Sequence, residues 1–237
     1  IGFTLKPNNG NILDFEKQLS YLEAIEANCA EIPLYELDVV SGKKIIKDEL
    51  NLLNNIIKNS NLKFSIHGSM SVNLLDEDYL SDHIEVLKKE IEVCSALNIN
   101  ILVTHFGHTP IEVSKNAQKY EDLIKIQKEE YFKMAEIAKK NGVTLCIENI
   151  FPYTNSHFTA LPSEVSKNIN EINHPNARTT IDFSHAYINC NLRKKDLISE
   201  LETMVPFTEH LHVHDSFGKF KKMYTYIFPE DITYGQG

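Results

Sequence analysis

The chain has 237 residues, of which 42% are hydrophobic, and its formal net charge is −9 at pH 7. This length and apolar content can form one substantial core, and the acidic balance argues against a basic nucleic-acid surface. A mean hydropathy of −0.27, with no apolar stretch near the ~18 residues of a transmembrane helix, argues against a membrane span. The amino terminus shows no secretory signal, and the four scattered cysteines form no C-x-x-C pair, which favours a reducing, cytoplasmic location.

Apolar, β-branched runs alternate along the chain with longer segments of helical period. The runs begin near Gly2, Ala30, Phe64, Ile101, Thr144, Thr179 and His210. Between the third and fourth runs, Leu87, Ile91 and Cys94 follow spacings of four and three, which predicts one face of a helix. A later helix is expected to end at Asn141-Gly142, a normal stop before a strand.

The strand–helix repeat recurs roughly every 30 to 45 residues, which is the rhythm of βα units. The strand-like runs are almost continuously hydrophobic, as expected for a parallel sheet that is buried on both faces. We therefore predict an α/β fold, a (β/α)8 TIM barrel that occupies residues 1–237 as a single domain. Seven strands can be recognised, so the eighth strand and helix are expected to be missing from this sequence. The alternative is a barrel of seven strands.

Six residues of metal-binding type share one position, the end of a short apolar run. They are His67, His105, Glu148, Asp182, His185 and His212. The carboxyl ends of parallel barrel strands converge on one mouth, where barrel enzymes build their active sites. Imidazole and carboxylate groups that meet there predict a divalent metal site. The sequence has no glycine-rich phosphate loop and no G-x-S-x-G elbow, which disfavours nucleotide-dependent and serine-hydrolase functions.

Two carboxylates at these run ends have competing interpretations. Glu148 follows three apolar residues, a costly position for a charge unless it is paired or bound. It is expected to be a metal ligand or catalytic acid/base, the alternative being a salt bridge to a lysine. Asp182 and His185 form a D-x-x-H pair that would point into the mouth. The alternative for Asp182 is to cap the following helix.

The seventh run places His210, His212 and His214 on one strand face, because they alternate with Leu211 and Val213. His212 and His214 lie nearer the carboxyl end and are the better ligand or substrate-binding candidates. His210 is expected to be a hydrogen-bonded core histidine. The alternation therefore predicts that at least one imidazole of this strand belongs to the site.

The remaining candidates are less decisive. His67 and His105 could be metal ligands or substrate-binding residues, and Glu31 could contact substrate or pair with Lys6. Asp215 is expected to accept a hydrogen bond that fixes an imidazole tautomer. Three further histidines are predicted to be solvated: His83, His157 and His174.

Five segments in order, SIHGSMSVNLL, VTHFGH, CIENI, TIDFSHA and HLHVHDS, resemble the xylose-isomerase-like TIM barrel superfamily. This superfamily contains sugar (phosphate) isomerases and epimerases and the endonuclease-IV-like abasic-site endonucleases, and the resemblance covers essentially the whole chain. In the isomerase/epimerase branch it implies Glu148, Asp182 and His212 as three of four metal ligands, with His185 contacting substrate or metal. The fourth ligand would be a glutamate on strand eight, which this sequence does not reach.

In the endonuclease branch, the resemblance implies that His67 and His105 bind additional metal. That branch also has an Asp-x-His pair after the seventh strand, where this chain offers Glu230 and Asp231 without a histidine. Such an enzyme needs phosphate contacts, for which arginine is best suited, and the chain has only two arginines. An abasic-site DNA endonuclease with zinc is therefore the alternative rather than the favoured function.

The favoured hypothesis is a metal-dependent isomerase or epimerase of a sugar or sugar phosphate. Glu148 and the strand-eight glutamate would exchange a proton beside a metal-chelated carbonyl/hydroxyl pair. His185 and His67 would hold hydroxyls or polarise the carbonyl. Tyr153 would contact substrate, and Tyr153 and Phe151 together would exclude water. A non-catalytic sugar- or metal-binding barrel is a further alternative.

The expected cofactor is a divalent metal ion. Zinc or manganese is favoured over magnesium or cobalt, because histidine is prominent among the candidate ligands. The expected partner is a small-molecule sugar or sugar phosphate, with nucleic acid disfavoured and no membrane association. Homo-oligomerisation is left open.

Overall fold

The computed structural model describes residues 1–154 and 156–218, and seven of its strands form one parallel sheet. The strands are β1 Gly2–Thr4, β2 Cys29–Pro33, β3 Lys63–His67, β4 Ile101–His105, β5 Thr144–Glu148, β6 Ala177–Asp182 and β7 Thr208–His212. Their order in the sheet is their order in the chain, and all neighbouring pairs are parallel. The seven predicted strands are confirmed.

The sheet curls into part of a barrel, because side chains of its last strand reach back to its second strand. Nε2 of His210 on β7 lies 2.9 Å from Oε2 of Glu31 on β2. Among the described residues the sheet stays open between β1 and β7, so the fold is an α/β TIM barrel that lacks part of its wall. The predicted eighth strand, and the loop positions Glu230 and Asp231, lie outside the described residues.

Helices connect the strands and cover the outside of the sheet in the part of the chain that the structure describes. They are α1 Ile12–Ala24, α2 Lys47–Ile57, α3 Leu80–Ala96, α4 Ile111–Ser114, α5 Ala117–Lys140, α6 Pro162–Ile172, α7 Phe183–Arg193 and α8 Leu197–Met204. Short 3-10 helices span Asn8–Gly10, Leu34–Glu36 and Val205–Phe207. Two antiparallel pairs join Val40–Ser41 to Lys44–Ile45 and His108–Pro110 to His157–Thr159.

Local chemistry sets the ends of the longest helix. Asn116 caps the start of α5, since its side-chain oxygen accepts a hydrogen bond from the Lys119 amide at 3.1 Å. The helix ends at Lys140, directly before Asn141-Gly142, as the sequence predicts. Gly142 has a φ of +70°, a conformation that glycine adopts without a steric penalty.

Alternate residues of the strands face different layers. One set is apolar and packs with the helices into the hydrophobic core, which includes Ile32, Ile66, Leu102, Leu145 and Ile147. The other set ends in titratable side chains at the carboxyl ends of the strands: His67, His105, Glu148, Asp182 and His212. The period-two alternation thus delivers the predicted ligand-type residues to one mouth.

Two further sequence predictions concern location and redox state. In residues 1–154 and 156–218, no helix combines the length and the apolar character needed to cross a bilayer. All four cysteines are free thiols, and Cys94, Cys146 and Cys190 are buried.

Candidate metal centre

The carboxylate of Glu148, at the end of β5, lies among four imidazole rings. Its Oε1 is 3.1 Å from Nδ1 of His185 and 3.2 Å from Nδ1 of His212. Its Oε2 is 3.3 Å from Nε2 of His67 and 3.6 Å from Nε2 of His105. The side chain is only 1% exposed. Three strands and the first turn of α7 therefore contribute to one buried carboxylate, and its described partners are imidazoles rather than a lysine.

The charge state of Glu148 follows from these neighbours. Burial alone would raise the pKa of the carboxyl, but the charge of His212, with the contacts from His185 and His67, holds that pKa well below its usual range. Glu148 is therefore a carboxylate at neutral pH. Among the described residues its Oε2 has no partner in hydrogen-bond geometry, so this oxygen is free to bind a ligand.

His67 faces that free oxygen with a nitrogen lone pair. Its Nδ1 lies 2.9 Å from the Gly68 carbonyl oxygen, to which it can only donate, so Nε2 of the neutral ring is an acceptor. Two acceptors, His67 Nε2 and Glu148 Oε2, then lie 3.3 Å apart. Although burial opposes it, the proximity of Glu148 and the charge of Glu31 raise the pKa of His67. The pair requires a positive charge, which a proton or a metal cation can supply.

His105 is held as a neutral imidazole. Burial lowers its pKa to about 3, and the charge of Glu148 opposes only part of that shift. The Tyr153 hydroxyl lies 3.3 Å from Nδ1 of His105, and the Tyr131 hydroxyl donates to the His105 carbonyl oxygen at 2.6 Å. Neutral imidazole is the form that binds metal. His105 is therefore ready to act as a ligand at physiological pH.

Asp182, at the end of β6, combines two roles that the sequence presents as alternatives. Its Oδ1 accepts a hydrogen bond from the His185 backbone amide at 2.8 Å and so caps α7. Its Oδ2 lies 2.6 Å from Nε2 of His214, 3.4 Å from Nδ1 of His185 and 3.8 Å from Nδ1 of His212. The cap fixes the carboxylate so that its second oxygen faces the imidazoles.

His212 lies between two buried carboxylates. Its Nε2 is 3.1 Å from Oε2 of Glu31, and its Nδ1 is 3.2 Å from Oε1 of Glu148. Burial alone would lower its pKa, but the charges of Glu31 and Glu148 raise the pKa of His212 well above its usual value. His210 shares the same Glu31 oxygen, as expected of a hydrogen-bonded core histidine. Glu31 therefore pairs with these histidines and not with Lys6.

The donor atoms fall into four overlapping groups in which every donor lies within 4.8 Å of the others. The groups are His67–His105–Glu148, Glu148–Asp182–His212, Asp182–His185–His214 and Glu31–His210–His212. The first two share Glu148, whose free Oε2 faces the lone pair of His67. Imidazole nitrogens with carboxylate oxygens are the donor set that suits zinc or manganese. The residues present therefore fit a divalent cation.

Two residues of the centre went unrecognised in the sequence. Asn149 is fully buried, and its side chain holds Asp182, accepting from its amide and donating to its carbonyl, both at 2.9 Å. The ring of Tyr35 meets His67 edge-on, with centroids 5.3 Å apart. An amide directly after a strand-end glutamate is a usable signal for Asn149, whereas Tyr35 carries no local signal.

Aromatic rings form one wall of the cluster. The ring of Phe151 packs on His185 with centroids 4.6 Å apart, and Tyr153 meets Phe151 at 5.3 Å. Beyond them, the rings of His108 and His157 stack with centroids 4.9 Å apart. These side chains come from the loops after β4 and β5, which the short antiparallel pair ties together.

Four secondary predictions are wrong. Asp215 is exposed and accepts a hydrogen bond from the next backbone amide, so it fixes no imidazole. His174 is buried, and its Nε2 lies 2.7 Å from Oε1 of Glu136, because the turn after α6 packs against α5. His157 is half-buried against His108, and His83 is half-buried beside Asp76, so neither is solvated. Polar flanking residues thus misled the assignment of surface histidines.

The fold and this cluster define a class of barrel protein. A model of the xylose isomerase-like TIM barrel family matches residues 19–237. The chain therefore belongs to the xylose isomerase-like TIM barrel family, as its five ordered segments indicate. No match was found among curated proteins.

Solved structures with this fold include several sugar epimerases. A putative xylose isomerase from Rhodospirillum rubrum is 15% identical, with a TM-score of 0.77 over 92% of this chain and 78% of that one. D-Psicose 3-epimerase from Clostridium cellulolyticum, solved with D-tagatose, is 14% identical, with a TM-score of 0.69 over 90% and 72%. The 3-keto-D-glucoside 4-epimerase from E. coli is 14% identical, with a TM-score of 0.67 over 90% and 78%. These similarities establish a shared fold.

Proposed function

We propose that this protein is a metal-dependent isomerase or epimerase that acts on a sugar or sugar phosphate. The observation that carries the proposal is the buried Glu148 carboxylate, with one free oxygen, inside a ring of imidazoles at the mouth of the barrel. The similarity to solved sugar epimerases supports the same class of reaction.

The proposed metal ligands are Glu148, Asp182 and His212, with His67 and His105 as ligands of a further ion that shares Glu148. When bound, a divalent cation would bind neighbouring oxygens of a hydroxy-ketone and stabilise the negative charge that develops on them. Zinc or manganese is the proposed metal, since imidazole supplies two of the three donors in one group and one of the three in the other.

Glu148 is the proposed base. Its lowered pKa keeps it ionised at neutral pH, so it can take the proton from the carbon next to the substrate carbonyl. The electron pair of that C–H bond moves onto the carbonyl oxygen, which gives an enediolate. Return of a proton to the opposite face of the same carbon gives the epimer. Return to the neighbouring carbon, with the hydroxyl proton passing to the other oxygen, gives the isomer.

Four further side chains are proposed to hold the substrate. His185 lies 3.1 Å from Glu148 Oε1 and is placed to donate to a hydroxyl beside the reacting carbon. His67, Tyr153 and His214 border the same cluster and can bind hydroxyls there. Glu31, the fifth residue in this assignment, acts through its bond to His212.

The proposal is tested by assays of the purified, metal-loaded protein against ketohexoses and pentulose phosphates. Turnover that disappears in Glu148→Gln is expected, because the amide cannot accept the proton. A variant of an exposed glutamate, Glu112→Gln, should keep full activity. Absence of turnover on all sugars, with metal bound, would contradict the proposal.

A second candidate function is a zinc-dependent abasic-site DNA endonuclease. One observation favours it: His67 and His105 converge on the free Oε2 of Glu148, which suits a centre of more than one ion. Against it, the Arg178 guanidinium already pairs with Glu209 and that of Arg193 with Glu164, so neither is free to clamp a phosphate. An abasic duplex oligonucleotide in the same assay separates the two functions.

The proposed setting is cytoplasmic, with residues 1–237 forming a single barrel domain. The four free cysteines agree with a reducing compartment. A small-molecule sugar is the proposed partner, and size-exclusion chromatography with light scattering would decide between a monomer and a homo-oligomer.

A further inference from the structure

We infer that Glu90, Gln127 and Tyr131, which lie behind the barrel wall, are positioning residues for His67 and His105. The inference rests on the proposed function only in assuming that these two histidines bind metal. None of the three side chains is among the candidate ligands. They act from α3 and α5, two helices that pack against each other outside the sheet.

Glu90 on α3 holds the loop that follows β3. Its side chain is only 1% exposed, and its Oε1 accepts a hydrogen bond from the Ser69 amide at 2.6 Å. Ser69 is two residues beyond His67, so this bond fixes the backbone on which that imidazole is carried. The bond reaches across 21 residues of sequence and ties a helix to the end of a strand.

Gln127 on α5 repeats this arrangement one strand further on. Its side chain is fully buried, and its Oε1 accepts a hydrogen bond from the Gly107 amide at 2.9 Å. Gly107 is two residues beyond His105, the same offset as that of Ser69 from His67. Tyr131 lies one helical turn after Gln127, and its hydroxyl donates to the His105 carbonyl oxygen at 2.6 Å.

Glycines let the two loops approach these side chains. A Cβ on Gly68 would lie 2.7 Å from Glu90 Oε2, and a Cβ on Gly107 would lie 2.5 Å from Gln127 Oε1. Both distances are too short for a real contact. Each loop backbone therefore lies directly against the polar side chain behind it, and a larger residue at either glycine would displace that side chain.

Burying polar side chains at these two positions destabilises the fold, so a purely structural role does not explain them. Glu90 Oε2 and Gln127 Nε2 are buried without a hydrogen-bond partner in the described part of the chain. A buried polar atom without a partner destabilises a fold, so an apolar side chain would serve packing alone better. In return, the two side chains fix the positions of the Ser69 and Gly107 amides, each of which lies two residues beyond a strand-end histidine.

The test is the zinc affinity of the purified full chain, measured by competition with a chromophoric chelator. Glu90→Leu and Gln127→Leu should each weaken binding of the ion held by His67 and His105 roughly 10- to 100-fold. Glu90→Gln, which keeps the acceptor oxygen, should stay within about threefold of wild type. Tyr131→Phe removes one hydroxyl and should weaken binding less than the leucine variants.

Two controls separate positioning from loss of stability. Ile91→Ala removes a buried apolar side chain next to Glu90 and should lower the melting temperature without changing zinc affinity. In a His67→Ala background, Glu90→Leu should leave the affinity for the remaining ion unchanged, since its effect acts through His67. If either leucine variant fails to fold, Tyr131→Phe decides the case through the same titration: weaker zinc binding supports the inference, and wild-type affinity overturns it.

Three results would overturn the inference. The first is wild-type zinc affinity in folded Glu90→Leu and Gln127→Leu. The second is a loss of zinc affinity in Ile91→Ala equal to that in the leucine variants. The third is a wild-type chain that binds no zinc. Zinc binding without any sugar turnover would contradict the proposed function but leave the inference intact, because the titration contains no sugar.

Discussion

The side chain of Asn149 forms hydrogen bonds with both the backbone amide and the backbone carbonyl of Asp182. Asn149 Oδ1 accepts from the Asp182 amide and Asn149 Nδ2 donates to the Asp182 carbonyl, each at 2.9 Å. The end of β5 is thereby locked to the end of β6, so the two strand-end carboxylates that border the cluster keep a fixed separation.

Replacing Asn149 with leucine should destabilise the protein by about 2 kcal/mol or more, because it leaves a buried amide and a buried carbonyl without partners. The free energy of unfolding, measured by urea titration of the metal-free protein, checks this. Asn59→Ala, which removes only an exposed side-chain bond to a helix carbonyl, is the matched control and should change stability little. Equal losses of unfolding free energy in the two variants would contradict this role of Asn149.

Glu148→Gln and His212→Ala should both reduce the metal content of the purified protein. Glutamine removes the negative charge that three of the surrounding imidazoles face most closely, and alanine removes the ring that bridges two carboxylates. Elemental analysis after dialysis measures the ratio of metal to protein. His83→Ala should keep wild-type content, since His83 lies near Asp76 and outside the donor groups. Full occupancy in both cluster variants would show that the ligands are misassigned.

The stability of the metal-free protein should fall as pH rises through the range in which Glu90 ionises. Burial raises the pKa of Glu90 from 4.5 to about 7, so the folded state keeps its proton after the unfolded chain has lost it. Below pH 4.5 the group is neutral in both states, so the stabilisation from its raised pKa is fully present. Between pH 4.5 and about 7 the stabilisation that comes from the raised pKa of Glu90 is lost, and the total loss is on the order of 3 kcal/mol.

Urea titrations of wild type and Glu90→Gln at several pH values isolate this effect. The free energy of unfolding of wild type, relative to that of Glu90→Gln, should decrease from about pH 4.5 and become constant above about pH 7. A difference that does not change with pH would show that Glu90 ionises normally. Chelator is included throughout so that metal binding does not contribute.

Phe151→Ala should keep the metal but lower kcat/KM for the sugar on the order of tenfold, because the ring that fixes His185 is lost. Elemental analysis and steady-state kinetics on the same preparation separate the two effects. Phe132→Ala, at a ring that is 46% exposed on α5, is the control and should leave both unchanged. Loss of metal in Phe151→Ala would instead assign the ring a structural role in the centre.

Periodicity made the fold and much of the cluster predictable. The alternation of apolar residues gives the seven strands, and the position of a histidine or carboxylate at each strand end gives the convergence. Both signals are local, because each depends on residues within a single run of sequence. The double placement of Asp182 was open in the sequence, since capping α7 and facing the imidazoles both use the same side chain.

The supporting residues could not be found in that way. Tyr131 and Gln127 reach residues 26 and 20 positions away, and no local pattern records such a distance. Glu90 is recognisable in the sequence, because it falls between Leu87 and Ile91 on the buried face of α3. A charged residue inside an apolar helix face is the signal that identifies a polar contact behind a strand end.

The position of His212 between Glu31 and Glu148 predicts that binding of the proposed metal ion releases a proton. With both carboxylates ionised, the metal-free ring carries hydrogens on both nitrogens, one for each neighbour. A cation that binds Nδ1 must expel the hydrogen there, while Glu31 keeps the one on Nε2. Filling the centre therefore acidifies the surrounding solution, and an unbuffered metal titration followed with a glass electrode would count the protons released.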